Sequence, residues 1–339
     1  MEHKPIDTEE IKKVLKTEKP RLNLESKVDL DRVRLPEGYK NLALDLIRKS
    51  YRECDVNYDK PKVIAVGLSG GLDSSTALAA SCEAVGRDNT IALLLRHKYM
   101  TEGEIEDAEA ANYIVNHLGV RADSMDITKL IEAHWEITGT KSYGPFVDNV
   151  LKAEGLARAR ASAMESYSSL EDALTLDTSN MTELALGNIT VGAYMGMIEI
   201  FEDLLKSEVH ELARQLNVPE RIRNQRKRIS EFSSDNEHMF GAGFEYLDPL
   251  VHRFLKGVSA EQAAKELGHD KEWIQKIYGR MESTRFRYSA AGPISRISEF
   301  YGDKNGKANW IGGMRKYWVD CQKMDLPRKL QELREEYLP

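Results

Sequence analysis

The chain has 339 residues, with 48 Lys and Arg against 55 Asp and Glu, for a formal net charge of −7. That length can bury a substantial core in one large or two modest domains, while the acidic balance disfavours an extended nucleic-acid surface, which needs clustered cations in excess. There is no apolar run of about 18 residues, and the start, MEHKPIDTEE, is too polar for a signal peptide, so a cytoplasmic protein with no membrane partner is expected.

Residues 1–60 are highly charged and read as a helical N-terminal arm. Asp7-Thr8-Glu9-Glu10 has the pattern of an N-cap with Glu three residues on, predicting a helix to Lys16. Pro36-Glu37 opens a second, whose Leu42, Leu44, Leu46 and Ile47 include its core positions. Lys62 to Leu68 is apolar and β-branched, the signature of a buried strand. Ser69-Gly70-Gly71 interrupts it, and Asp73-Ser74-Ser75 opens an Ala/Leu-rich helix to Val85.

The pattern then alternates. Thr90 to Leu95 predicts a second strand, Glu102 to Leu118 an amphipathic helix, Arg121 to Asp126 a third strand, and a helix follows to Trp135. Residues 139–150 read as a loop, Val150 to Leu170 as a long helix carrying Arg158 and Arg160, and Leu174 to Leu176 as a fourth strand. That strand ends at Asp177-Thr178-Ser179-Asn180, from which a helix containing Glu183 begins. Strands alternating with helices predict an α/β fold with a doubly wound parallel sheet, Rossmann-like, whose ligands bind beyond the carboxyl ends of the strands. On this reading residues 61–232 form the α/β domain, and residues 233–339 a C-terminal helical segment and tail.

A strand, a Gly-rich turn and a helix N-terminus together make an anion site, because paired glycines let the backbone approach and free N–H groups face the ligand. The order Ser-Gly-Gly-Leu-Asp-Ser is neither a Walker P-loop nor a dinucleotide fingerprint. It resembles the pyrophosphate loop of the ATP pyrophosphatase superfamily. Two further segments narrow this to a family. Asp177-Thr178-Ser179-Asn180-Met181-Thr182-Glu183 is similar to the Gly-Thr-Asp/Ser-Asn-Arg-Ser-Glu segment of ammonia-dependent NAD synthetases. Leu204-Leu205-Lys206-Ser207-Glu208-Val209 resembles their Leu-Tyr-Lys-Thr-Gln-Val, and the likeness runs from about Leu42 to Tyr288.

The resemblance implies an ATP-dependent ligase: a carboxylate is adenylated with loss of pyrophosphate, and ammonia then displaces AMP to leave an amide. It implies ATP and Mg²⁺ as required ligands, a small-molecule carboxylate (deamido-NAD or a different acid) and ammonia as substrates, and a homodimer. No glutaminase segment is visible in the sequence, so a separate glutaminase subunit is an alternative nitrogen source. By the same resemblance Ser69, Gly70, Gly71, Ser74 and Ser75 cradle pyrophosphate, Asp73 and Glu183 hold Mg²⁺, and Lys206 neutralises phosphate charge. Thr178 touches the phosphates, Arg158 lies along the ATP or acceptor site, and Ser230 matches a Ser/Thr of the family's substrate loop.

These residues also have plain structural uses. Asp73 and Glu183 suit helix N-termini, Thr178 could cap the helix of Glu183, and Lys206 and Arg158 could be solvated surface cations. The chain departs from the family at Ile189 to Ile198, where a lysine and two aspartates are replaced, at Glu154, which stands at an Asn position, and at Ser283 to Arg287, where positive charge survives in Arg285 and Arg287 but the family's His-Lys pair does not. An acceptor wall without those charges suits a less charged acid.

Other readings stay open. The helix, Gly turn and helix between Ser259 and Met281 could pass for a DNA-binding helix-turn-helix, although DKEWIQKIYGRM is nearly charge-balanced. A tRNA-modifying or sulfur-transferring ATP pyrophosphatase is another option, disfavoured by charge and by Cys54, Cys82 and Cys321, which lie far apart without metal spacing. Arg221 to Arg228 is the one strongly basic run, read as a solvated loop or a substrate lid. Trp310 and Trp318 would anchor a docked C-terminal tail.

Overall fold

The computed structural model describes residues 20–30, 33, 35, 38–53, 62–139, 142, 145–193, 196–224 and 239–289. The expected helix at 7–16, Ser230, the basic run from residue 225 onward and the tryptophan-bearing tail lie outside them. Among the described residues no helix is long and apolar enough to cross a membrane.

The chain runs α1 (Tyr39–Glu53), β1 (Val63–Gly67), α2 (Leu72–Val85), β2 (Thr90–Arg96), α3 (Glu102–Leu118), β3 (Arg121–Asp126) and α4 (Thr128–Thr138). It continues with α5 (Pro145–Glu171), β4 (Ala173–Asp177), α6 (Met181–Ala185), β5 (Ile198–Glu199), α7 (Lys206–Gln215) and α8 (Glu220–Arg223). The helices α9 (Phe244–Leu255), α10 (Ala260–Leu267) and α11 (Lys271–Ser289) follow. The strands form one sheet in the order β3-β2-β1-β4-β5, and every pairing is parallel. The doubly wound expectation therefore holds. Winding runs outward from β1 to β3 and then restarts on the other side of β1, which leaves a crevice between the carboxyl ends of β1 and β4.

Alternation along β1 explains the layering, because successive side chains leave opposite faces of a strand. Ile64 and Val66 enter a core with Leu78, Ile114, Leu176, Phe201, Val209 and Leu212. Val63 and Ala65 face Ile91, Leu93, Met164 and Tyr167 on the other side. Helix α1 is not peripheral: Tyr39, Ala43, Leu44 and Ile47 belong to the first core, so this part of the N-terminal arm packs on the domain. A separate cluster joins Met181, Leu186 and Leu205 to Leu247, Leu250, Trp273, Ile274, Ile277 and Met281, fixing the C-terminal helices over the end of the sheet that carries α6 and α7.

Three boundaries differ from expectation. The segment read as a loop to residue 150 turns helical at Pro145, whose fixed φ suits the first turn of a helix. The helix expected from Pro36 begins at Tyr39. Strand β5 has only two residues, Ile198 and Glu199, too short to leave a periodic signal. The recognition helix of the DNA-binding alternative corresponds to α11, and Trp273, Ile274 and Ile277 on it are buried in the C-terminal cluster.

Candidate active site

The turn after β1 is built around Gly70. Its φ is +93°, and a Cβ there would lie 2.0 Å from the Asp107 carbonyl of α3, so only glycine fits. The turn is stitched internally: the Ser69 and Ser74 hydroxyls lie 3.0 Å apart, the Gly71 N–H donates to Ser69 Oγ at 3.2 Å, and Ser74 Oγ donates to the Gly71 carbonyl at 3.3 Å. Gly71 is the N-cap of α2 and supplies no side-chain cap, so the helix presents backbone donors to the crevice. Ser75 sits deeper than expected for a cradle residue. It is wholly buried, its N–H donates to the Gly71 carbonyl at 3.1 Å, and its hydroxyl meets no partner.

Asp73, in the first turn of α2, is where three segments meet. Lys206 Nζ donates to Asp73 Oδ2 in a close ion pair, and the same ammonium lies 3.7 Å from Glu183 Oε1. Asn180 Nδ2 donates to Asp73 Oδ1 at 3.4 Å. The lysine side chain is 16% exposed, enough to meet a ligand in the crevice yet shielded from bulk water. Burial alone would lower its pKa, but Asp73 and Glu183, with Asp248 behind them, outweigh that and raise it, so the ammonium stays charged. The surface-cation reading of Lys206 is thereby set aside.

Asn180, rather than Thr178, caps α6: its Oδ1 accepts the Glu183 N–H at 3.1 Å. Thr178 is partly exposed between β4 and this cap, on the crevice side of the sheet. Helix α7 starts at Lys206 itself, and Glu208 Oε2 accepts the Leu205 N–H at 2.8 Å to close its first turn. Asp248, from the distant α9, accepts Thr182 Oγ1–H at 2.5 Å and the Ser207 N–H at 2.8 Å. Sequence reading did not single out Asn180 or Asp248. The Asn180 cap was legible in the order Asn-x-x-Glu; Asp248 looks like any acidic residue on an amphipathic helix.

Arg158 is not a free ligand. Its Nη2 donates to Glu154 Oε2 at 3.0 Å and its Nε to the Val191 carbonyl at 3.1 Å, which ties α5 to the divergent segment after α6. Arg160 turns to Glu104, donating to Oε1 at 3.0 Å. Arg221 stacks over Tyr113, 5.1 Å from the ring centroid. Cys82 is partly buried, and burial pushes its thiol up to about 11, which gives no reactive thiolate for sulfur transfer.

Asp73 and Glu183 fit a small hard cation. Both offer carboxylate oxygens, and a cation there would share them with the Lys206 ammonium, which now pairs with Asp73 and lies 3.7 Å from Glu183. Two protein carboxylates suffice for Mg²⁺, which keeps waters and takes its remaining ligands from substrate phosphates. No group of three or more His, Cys, Asp or Glu suited to a metal occurs among the described residues.

A doubly wound parallel sheet with a Ser-Gly-Gly turn at an open helix N-terminus, faced by a partly buried lysine, defines the ATP pyrophosphatase class of α/β proteins. The family model for NAD synthase matches residues 44–291, and the chain belongs to that family. An NH(3)-dependent NAD(+) synthetase from Methanopyrus kandleri is 29% identical over 263 residues, covering 74% of this chain and 88% of that one. Among solved structures, the NMN synthetase from Francisella tularensis shares the fold with a TM-score of 0.58 at 21% identity, over 78% of this chain and 100% of that one. The NH3-dependent NAD synthetase from Campylobacter jejuni, in complex with the nitrate ion, gives 0.54 at 23% identity, over 80% and 99%.

Proposed function

We propose that this chain is an ammonia-dependent, AMP-forming amide ligase that adenylates a carboxylic acid with ATP and releases pyrophosphate. The observation that carries the reading is the convergence of Asp73, Glu183 and Lys206 beside the Ser69–Gly71 turn. A carboxylate oxygen attacks the α-phosphorus of ATP, and the bond to pyrophosphate breaks. Ammonia then attacks the acyl carbon, the bond to AMP breaks, and the surplus proton leaves to solvent. In the first step charge develops on phosphate oxygens, which favours fixed dipoles and cations over a covalent nucleophile.

In this reading the backbone N–H groups of the turn and of the first turn of α2 bind the departing pyrophosphate. Lys206 exchanges part of its contact with Asp73 for a phosphate oxygen. Asp73 and Glu183 hold Mg²⁺, which when bound neutralises the charge shared by ATP and pyrophosphate. Thr178 lies along the same phosphate path. A homodimer and a cytoplasmic location belong to the same reading and rest on the family likeness.

The acyl substrate has two readings. Deamido-NAD is supported by the likeness to NH(3)-dependent NAD(+) synthetases. An acid with less negative charge is favoured by the Glu154–Arg158 pair, which places a carboxylate against the α5 cation that faces the acceptor segment. The test is release of pyrophosphate by the full chain with ATP, Mg²⁺ and ammonia, given deamido-NAD, nicotinate mononucleotide or uncharged-tail carboxylic acids in turn. Amide formation with deamido-NAD establishes the first reading. Pyrophosphate release only with the simpler acids establishes the second, and none with any acid refutes the ligase.

A further inference from the structure

Asp248 lies on α9, outside the sheet, and is 1% exposed. Its carboxylate reaches two elements at once: Oδ1 accepts Thr182 Oγ1–H at 2.5 Å on α6, and Oδ2 accepts the Ser207 N–H at 2.8 Å on α7. The circuit is closed by the Lys206 N–H, which donates to Thr182 Oγ1 at 3.0 Å. Thr182 immediately precedes Glu183, and Ser207 immediately follows Lys206. The backbones that carry the two facing side chains are thus joined through a single buried carboxylate.

A charge in this position is an expensive way to fill space. Burial pushes the Asp248 carboxyl up to about 6, against the hydrogen bonds that hold it down. An apolar residue of similar size would pack between the helices without that penalty. What an apolar residue could not do is accept hydrogen bonds from both elements and fix their relative rotation.

We propose that Asp248 is a positioning residue, holding Glu183 and Lys206 in register to bind Mg²⁺ and pyrophosphate together. The proposal rests on reading the Ser69 turn and Lys206 as a pyrophosphate site. Its test is calorimetric titration of magnesium pyrophosphate into the full-length chain, which needs no knowledge of the acyl substrate. Asp248→Asn keeps the shape but turns one acceptor into a donor, and weakens binding about tenfold or more, as loss of an outer ligand-orienting partner does. Thr182→Val weakens it likewise, Thr182→Ser restores it, and the double variant Asp248→Asn/Thr182→Val is no weaker than either single, because the pair acts as one unit.

Circular dichroism and thermal unfolding establish which variants are folded. A folded Asp248→Asn chain that binds within about twofold of the wild type overturns the proposal, since it breaks the coupling expected of linked residues. If Asp248→Asn does not fold, Thr182→Val decides by the same criterion. Failure of the wild type itself to bind magnesium pyrophosphate overturns the underlying site reading, and this proposal with it.

Discussion

Lys206 and Asp73 stand 133 positions apart in the chain and share one ion pair at the crevice. The contact joins the first turn of α7 to the first turn of α2, so the two helix N-termini that flank the crevice converge on one pair of opposite charges. Glu183 completes the arrangement from the other side of the ammonium.

Replacing Lys206 by Met should remove the charge proposed to meet the leaving pyrophosphate while keeping the length of the side chain. Pyrophosphate release is expected to fall about 10²- to 10³-fold, the usual loss for one preorganised charge-stabilising group. The variant should also be less stable, because Asp73 and Glu183 are left facing each other without a counter-charge. Steady-state assays and thermal unfolding measure the two effects separately, and full activity in a folded Lys206→Met chain would remove Lys206 from the mechanism.

Gly70→Ala tests the turn. The new methyl would meet the Asp107 carbonyl in a left-handed backbone conformation, so the turn must move away from α3. A destabilisation of about 1–3 kcal/mol is expected from the backbone strain alone, with more from the clash. Denaturant unfolding reads the loss, and magnesium pyrophosphate titration should show weakened binding in the fraction that remains folded.

Glu104 provides a pH test. Burial would raise its carboxyl, but the His97 contact at 3.7 Å, the Thr101 N–H at 3.0 Å and Arg160 pull it down to about 2. A carboxyl whose folded pKa is depressed stabilises the fold above its ordinary value of 4.5 and loses that contribution as pH falls toward 2. Glu104→Gln should therefore be less stable than the wild type at pH 7, by on the order of 3 kcal/mol at most. The difference should shrink between pH 4.5 and 2; a pH-independent difference in unfolding free energy would count against the assignment.

Glu154→Gln should release Arg158 from its i,i+4 partner and leave a net positive charge beside the Val191 segment proposed to receive the acid. Use of phosphate-bearing acids should improve, by about tenfold for one charge interaction of 1.4 kcal/mol, relative to acids without phosphate. The comparison of kcat/KM across the acid panel checks it. Equal changes for every acid would show that the pair is structural and not selective.

Much of the fold was legible because it is locally encoded. Strand β3 and helix α3 fall on the segments that periodicity marked out, and the Ser69–Gly71 break marks the turn, since a strand, two glycines and an Ala-rich helix admit few geometries. The start of α5 was missed because Pro145 lies among turn-forming residues, and β5 because two residues carry no period. The site was legible as a set of short segments whose order resembles a family. Thr178 could be identified as a helix-end residue, but Asn180 two places on won the cap, because its side chain reaches the Glu183 N–H from an extended backbone.

The sequence by itself determined the alternation of strands and helices up to β4, the glycine turn, and that Asp73 and Glu183 stand at helix N-termini, because these follow from local propensity and spacing. The tertiary structure alone decided that Lys206 lies between the two carboxylates, that Asp248 stands behind them, and that Arg158 is partnered by Glu154 and Val191. Those contacts depend on helix packing between segments far apart in the chain, where small rotations decide which side chains meet and spacing along the sequence carries no information.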